Sequence, residues 1–178
     1  MPEVIALQSM FEGLYMQALK PQGTFKERLR QKGFDLDHQR TNYPIGVWVA
    51  CLDVTAAELY PGQRRAVAWQ HIGYRFVEGY FHTLVGRMIA SMLPFMSPKR
   101  FMGRVPGFIT TGLQGAAVTV DWQGANQVLI RIEGVHGSTS ALMAGVLEAC
   151  FARMKLKGVL LEPRESETLD SELLVSLP

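Results

Sequence analysis

The stretch from Gln63 to Met102 constrains the fold most, because it is a long amphipathic segment. Its apolar residues recur at helical spacing, which predicts one long helix from about Gln63 to Leu93, ending before Pro94. A strand hairpin, a helix and closing strands are predicted after it. Helices that precede a short sheet indicate an α+β fold: a helical N-terminal part followed by a small antiparallel sheet with a helix packed on it.

Three shorter helices are predicted before this segment. The first covers Val4 to Leu19 and ends at a Lys-Pro-Gln-Gly breaker, and the second runs from Thr24, as its cap, to Lys32. The third begins at Pro44 and ends before Pro61. A strand is the alternative for Ile45 to Leu52, because Val-Trp-Val-Ala-Cys favours β structure.

The remaining elements follow the long segment. A short helix is predicted from Ser97 to Gly103, and the Pro- and Gly-containing stretch from Val105 to Gln114 is predicted to be irregular. Alternating apolar residues then predict a β-hairpin (118–122 with 128–132). A helix is predicted next, capped by Ser138 or Thr139 and ending near Gly158, and two strands (159–162 and 173–177) follow it. Without a repeat or a boundary signal, we expect residues 1–178 to form a single domain.

Two glycines inside the long segment suggest close packing. Gly79 and Gly86 are seven residues apart, so they share one face of a continuous helix, where another element can approach. Each costs up to about 1 kcal/mol relative to alanine in a helix interior, which close packing would offset. A kink near Gly73 is the alternative.

The composition excludes several classes of protein. A net charge of +2 gives no support for nucleic-acid binding, and no apolar run reaches the roughly 20 residues of a membrane span. The start, MPEVIALQ, lacks the basic region of a signal peptide, so we expect a soluble cytoplasmic domain. Cys51 and Cys150 are far apart and form no C-x-x-C pair, which predicts buried, reduced thiols.

Candidate catalytic and cofactor-binding residues are few. His71 and His82 are eleven residues apart, about three helical turns, so both could offer imidazole to a heme or metal, but ordinary histidines are favoured. Glu133 to Ser140 runs through two glycines into a helix start; it could hold an anion, although a strand-to-helix turn explains it fully. Ser138 near His136, and the paired Glu165 and Glu167, give no catalytic pattern. We therefore expect no enzyme, no cofactor and no metal site.

The most credible ligand signal is a group of apolar side chains near the end of the long segment. Met88, Met92 and Met96 are spaced at i, i+4 and i+8, and Phe95, Phe101 and Met102 follow closely. Such residues fill a core or line an adaptable apolar cavity. Core packing is favoured; if a pocket exists, its predicted lining residues are Phe81, Met88, Met92, Met96 and Trp122.

Several phrases together resemble a known family. FEGLYMQAL, LRQKGFDLD, ELYPGQRRAVAWQHIGYRFVEGYFHTLVGR and SPKRFMGR resemble a paralogous family of unknown function found in myxobacteria, whose members are close to this length. The Leu-Tyr-Pro-Gly and Gly-Tyr-Arg-Phe-Val-Glu-Gly motifs, with Thr83 and Gly86 after them, are the specific part. The resemblance covers nearly the whole chain.

That family is similar, more distantly, to a superfamily of heme–nitric-oxide-binding domains, vinyl-reductase-like sensing domains and TRAPP vesicle-tethering subunits. The phrase GVHGSTSALMAGVLEACF, with Gly145 inside its helix, resembles the vinyl-reductase-like pattern. The resemblance implies helices before a small antiparallel sheet, with a hydrophobic cavity between them. The chain lacks the Tyr-x-Ser-x-Arg signature of the heme branch and the cysteine clusters of the zinc-binding sensors. The resemblance therefore implies a fold but no functional residue.

These observations predict a non-catalytic small-molecule-binding or sensory module with an apolar or acyl-chain pocket. The alternative is a protein–protein assembly subunit, a homodimer or scaffold without a ligand. A ligand that copurifies with the chain would favour the first function, and a dimer with a filled core the second.

Overall fold

The computed structural model describes residues 3–135, 138–164 and 170–178. Its helices precede most of its strands, which confirms the predicted α+β fold. The helical elements are α1 (Gln8–Phe11), a π-helix (Glu12–Leu19) that continues it, α2 (Gly23–Gln31), α3 (Ile45–Leu59), α4 (Arg65–Tyr80), α5 (Leu84–Met92), a 3₁₀ turn (Leu93–Phe95), α6 (Pro98–Thr110) and α7 (Thr139–Arg153). The strands are β1 (Ile5–Leu7), β2 (Asn42–Pro44), β3 (Leu113–Gln114), β4 (Ala117–Trp122), β5 (Gln127–Glu133), β6 (Leu160–Arg164) and β7 (Ser171–Ser176).

The strands form two antiparallel sheets. A small sheet has the order β2-β1-β3, and the larger sheet has the order β4-β5-β7-β6. In the predicted hairpin Val120 pairs with Ile130, and Arg131 faces Glu172 on β7 with an ion pair of 2.9 Å. One face of the larger sheet is buried, because Val128, Ile130 and Val175 are almost inaccessible. The alternating pattern therefore identified the hairpin correctly.

Helix α7 lies in the centre of the molecule, in contact with α4 and with the strands β6 and β7. Eleven of its fifteen residues are buried, which is the pattern of a helix enclosed on nearly all sides. It ends at Arg153, earlier than the stop predicted near Gly158. The charged turn predicted between the last two strands contains Glu165 and Glu167, which lie outside the described residues.

The long predicted helix is divided into α4 and α5, so its predicted continuity is wrong. The chain turns at residues 81–83, where the Thr83 hydroxyl accepts a hydrogen bond from the Gly86 amide (3.1 Å) and donates one to the Tyr80 carbonyl (2.8 Å). This N-cap starts a new helix. Gly79 and Gly86 therefore lie on different helices, and neither residue shares a face with the other.

Three other boundaries differ from the sequence-based expectation. Helix α6 continues through Pro106 to Thr110, whereas residues from Val105 onward were predicted to be irregular. Burial of its apolar stripe, which includes Phe101 and Val105, outweighs the cost of an internal proline. At the N-terminus, Ile5–Leu7 forms a strand because it pairs with β2 on one side and β3 on the other. Helix α2 begins at Gly23, without a side-chain cap from Thr24.

An aromatic cluster fills the core between α1, the π-helix and α3. Its members are Phe11, Tyr15, Phe34, Tyr43 and Trp48, all at most 2% exposed. The Tyr15 hydroxyl lies 2.9 Å from the Thr55 hydroxyl, which donates to the Cys51 carbonyl. Among the described residues, no helix combines the length and apolar character that a membrane crossing requires.

Candidate functional site

Glycines bring α4 and α7 into backbone contact. A methyl group at Gly145 would overlap the Gln70 carbonyl oxygen of α4, and one at Gly73 would overlap the Leu142 carbonyl oxygen of α7. The helices therefore touch at their backbones, as small residues at a crossing allow. Gly73 is thus a packing position, and α4 continues through it without a break.

An apolar cavity lies beside this crossing, between α4, α6 and α7. Its volume is about 120 Å³. Helices α6 and α7 supply about half of its wall residues, and α3 contributes Ile45 and Trp48. An engineered cavity of about 150 Å³ with apolar walls binds benzene, so the space suits a small ring or a short branched chain. The walls present almost entirely carbon atoms, with the residues Phe76, Val77, Phe101, Val105, Leu142 and Val146 among them.

A few polar groups lie at the edge of the cavity. The Tyr80 hydroxyl is 3.3 Å from the Thr111 hydroxyl, which donates to the Phe108 carbonyl (2.6 Å). Thr111 is exposed, so the cavity reaches the surface beside it. Thr139, 7% exposed at the start of α7, is the other threonine in the wall. Apolar walls with a few polar groups are typical of small-molecule sites.

Cys150 contributes a thiol to the cavity wall. Burial raises the pKa of this thiol to about 12, so it stays neutral in the physiological range. Burial likewise raises the pKa of Cys51 to about 12, although Lys32 acts in the opposite direction. Both cysteines are buried and free, as the sequence predicted. A neutral thiol is a poor nucleophile and a poor metal ligand, so Cys150 serves as a small apolar wall group.

Because the pKa of Cys150 is raised, the stability of the fold depends on pH in the alkaline range. The folded chain binds the thiol proton more tightly than the unfolded chain, whose pKa is near 9.0. The stability that this tighter proton binding contributes is fully present below pH 9 and is lost as the pH rises from 9 to about 12. Between pH 8 and 10 we expect the free energy of unfolding to fall by about 1.4 kcal/mol through this group alone. Urea unfolding of the native chain and of Cys150→Ala at both pH values measures it, and equal pH dependence of the two proteins would refute it.

The structure brings one of the five predicted pocket residues, Phe81, to the cavity. The other four do not line it: Met88, Met92 and Trp122 are exposed, and Met96 is half-buried against the core. For Met88 and Met92 the break at residues 81–83 is the reason, because α5 turns Gly86 and Ile89 inward and these two methionines outward.

Of the cavity wall that α6 provides, the sequence indicated only Phe101. Phe101, Val105 and Phe108 are spaced at i, i+4 and i+7, which is a helical pattern, but Pro106 and Gly107 concealed it. The α7 stripe was recognised, yet nothing in the sequence separates residues that line a cavity from residues that fill a core.

The other candidate residues stay apart from the cavity. His71 is exposed and stacks on Tyr60 (5.4 Å between centroids), and His82 is exposed in the turn after α4. His136 and Gly137, in the glycine-containing turn that could hold an anion, lie outside the described residues. The described part of the chain contains no group of three His, Cys, Asp or Glu that could hold a metal ion.

Comparison with known proteins identifies the family. A profile of the family "Protein of unknown function (DUF2378)" matches residues 5–176, nearly the whole chain. The chain belongs to the DUF2378 family. The resemblance carried by its sequence motifs is thereby confirmed. A search of curated proteins gave no match.

The fold of this DUF2378 protein is similar to that of H-NOX domains. An H-NOX protein from S. oneidensis in the Fe(II)NO ligation state superimposes with a TM-score of 0.68 and 10% identity, covering 96% of this chain and 98% of that one. An oxygen-binding H-NOX domain related to soluble guanylate cyclases, in its oxygen complex, gives 0.61 and 11%, covering 95% and 91%. These superpositions establish a shared fold, as the distant resemblance implied, and at such low identity they show the fold alone.

The residues around the cavity do not fit a heme. Its volume of about 120 Å³ corresponds to a single small ring, whereas a heme joins four pyrrole rings in one macrocycle. No histidine lies among the described wall residues, and the Cys150 thiol is held neutral. Heme iron is usually held by histidine or by a thiolate. The described wall of this cavity thus offers neither the room nor the usual iron ligands for a heme.

Proposed function

We propose that this chain is a non-catalytic module that binds a small apolar molecule, of about the size of benzene, in the cavity between α4, α6 and α7. The observation that supports this proposal is the cavity itself, which has a volume of about 120 Å³, walls of nearly all carbon atoms and an exposed edge. Burial of apolar surface supplies the binding energy, at about 25 cal/mol per Å². Because the cavity is this small, it would accept only the terminal part of an acyl chain.

The wall chemistry supports binding without catalysis. No Asp, Glu, Lys, Arg or His lies among the described residues that line the cavity, and its thiol is neutral. General acid–base catalysis requires a positioned group that titrates near the working pH. The hydroxyls of Tyr80 and Thr111 can instead orient one polar atom of a ligand at the mouth.

Benzene tests the cavity directly. We expect it to raise the free energy of unfolding by about 1.4 kcal/mol when its free concentration is ten times its dissociation constant. Val146→Phe adds volume to the wall and is expected to abolish this stabilisation. Calorimetric titration and thermal unfolding with and without benzene give the two measurements.

Val159→Phe is the matched control, because Val159 is also half-buried against the core but lies outside the cavity wall. It should retain the benzene effect. Loss in both variants, or no effect of benzene on the native chain, would contradict the proposal. A titration with hemin separates the two ligand classes: a stoichiometric complex with a sharp heme absorption band would show that the interior accepts the macrocycle.

The second candidate function, an assembly subunit, has one structural observation in its favour. Helix α5 exposes several large apolar side chains, including Leu84 and Met88. A native mass measurement separates the functions: an added small mass that is lost on denaturation supports ligand binding, and a stable multiple of the chain mass supports assembly.

A further inference from the structure

Helix α5 and the turn after it expose an unusual amount of apolar surface. Leu84 is 75% exposed, Met88 64% and Phe95 87%, and Val85 and Met92 are also exposed. Leu84, Met88 and Met92 are spaced at i, i+4 and i+8, so they share one side of the helix. Of the eight large apolar residues exposed in the described chain, these five fall within twelve consecutive positions.

The opposite side of α5 is also apolar, because Gly86, Ile89 and Ala90 are buried against the rest of the chain. A helix that is apolar on both sides is normally enclosed. Here one side is covered by this chain and the other is open, which marks the open side as a contact surface. We call it the α5 face: Leu84, Val85, Met88, Met92 and Phe95.

The chain segment that contains the α5 face carries basic charges and no acidic ones. Between Glu78 and Asp121 the sequence contains no acidic residue, while it contains Arg87, Lys99, Arg100 and Arg104. All four are exposed. None of them takes part in an ion pair with another described residue. Their charge is therefore not neutralised locally by a carboxylate.

An exposed tryptophan lies beside this basic segment. The Lys99 ammonium is 5.7 Å from the centroid of the Trp122 ring, and Trp122 is 41% exposed at the end of β4. Tryptophan and lysine both combine an apolar body with a polar end, and both are favoured where hydrocarbon meets lipid headgroups. Lys99 follows Phe95 by four residues, so the apolar and basic groups are adjacent along the chain.

We propose that the α5 face, with Arg87, Lys99 and Arg100 beside it, docks the protein on an anionic lipid surface. Apolar side chains on a basic helix insert at the boundary between headgroups and hydrocarbon, and anionic headgroups attract the arginines and lysine. A second copy of this chain is a poorer occupant, since a two-fold contact brings the same basic segment against itself. The cavity between α4, α6 and α7 is not part of this surface.

Cosedimentation with vesicles tests the proposal. We expect the full chain to bind vesicles of phosphatidylcholine mixed with phosphatidylserine, and to bind phosphatidylcholine alone far less. Lys99→Glu combined with Arg100→Glu should weaken binding by at least about 25-fold, at roughly fivefold for each lost basic charge. Met88→Gln combined with Phe95→Gln should weaken it by about tenfold or more.

Matched controls lie elsewhere on the surface. Leu160→Gln removes an apolar side chain that is 55% exposed on β6, and Lys157→Glu reverses an exposed charge between α7 and β6. Both should retain native vesicle binding. Unfolding midpoints close to that of the native chain would establish that each variant is folded.

Three outcomes would overturn the proposal. One is the absence of binding to either kind of vesicle, which is also the result expected if the α5 face binds an acidic protein instead of lipid. The second is equal weakening by the control substitutions. The third is a dimer in the absence of vesicles that Met88→Gln dissociates, because a second copy would then cover the α5 face.

Discussion

Gly145→Ala is expected to lower the free energy of unfolding by about 3 kcal/mol, because the added methyl group has no space at the α4–α7 crossing. It would overlap the Gln70 carbonyl oxygen, with the Tyr74 amide nitrogen 2.8 Å away. Both obstacles are backbone atoms, so no side-chain rotation relieves the overlap. The two helices must separate, and α7 cannot retreat easily because β6 and β7 contact it. Urea unfolding at neutral pH measures the loss.

Gly103→Ala is the matched control for this substitution. Gly103 also lies inside a helix, α6, but a methyl group there meets nothing within 4 Å. Alanine restricts the unfolded chain and favours the helix, so we expect this variant to gain about 0.5–1 kcal/mol. A Gly145→Ala variant as stable as the native chain would show that the crossing is loose and that the backbone contact contributes little.

The crossing also sets the width of the cavity. Leu142 and Val146 lie on α7 on either side of Gly145 and are wall residues, while Phe76 and Val77 face them from α4. Separation of the helices by a methyl group would therefore change the cavity as well as the stability. The glycine pair and the proposed ligand site are parts of the same packing arrangement.

Patterns with a short period predicted the structure best. The β4–β5 hairpin follows from the alternation of Val128, Ile130 and Ile132 with Leu129, Arg131 and Glu133, since a strand places successive side chains on opposite faces. The α5 boundary was not accessible in this way. Thr83 can cap a helix, but a threonine within an apolar periodic segment is equally compatible with a helix interior. Only its hydrogen bonds to Tyr80 and Gly86 in the structure show that it is a cap.

Tertiary contacts explain the other differences. Ile5–Leu7 lies within the segment predicted to be the first helix, yet it becomes the middle strand of a sheet whose partners lie about 40 and 110 residues away. Such distant pairing leaves no local signal. The cavity has the same limitation: Val105 and Val146 look like ordinary core residues, and the space between them arises from how three helices cross.

Phe11→Ala is expected to lower the free energy of unfolding by about 4 kcal/mol, the largest effect of any substitution considered. The ring is fully buried, and its centroid lies 4.6 Å from that of Phe34, 4.3 Å from Tyr43 and 5.0 Å from Trp48. Removing it leaves a void among rigid neighbours that cannot collapse into it, and it removes several aromatic contacts together.

Phe95→Ala provides the contrast, because the Phe95 ring is 87% exposed and its loss should change stability by less than about 0.5 kcal/mol. Both variants delete the same atoms, so the difference between them measures burial. Urea midpoints, with slopes compared to confirm a cooperative transition, give the two values. A Phe11→Ala loss below about 1.5 kcal/mol would mean that the aromatic cluster tolerates a void. The core around α1 would then be more plastic than its close ring contacts indicate.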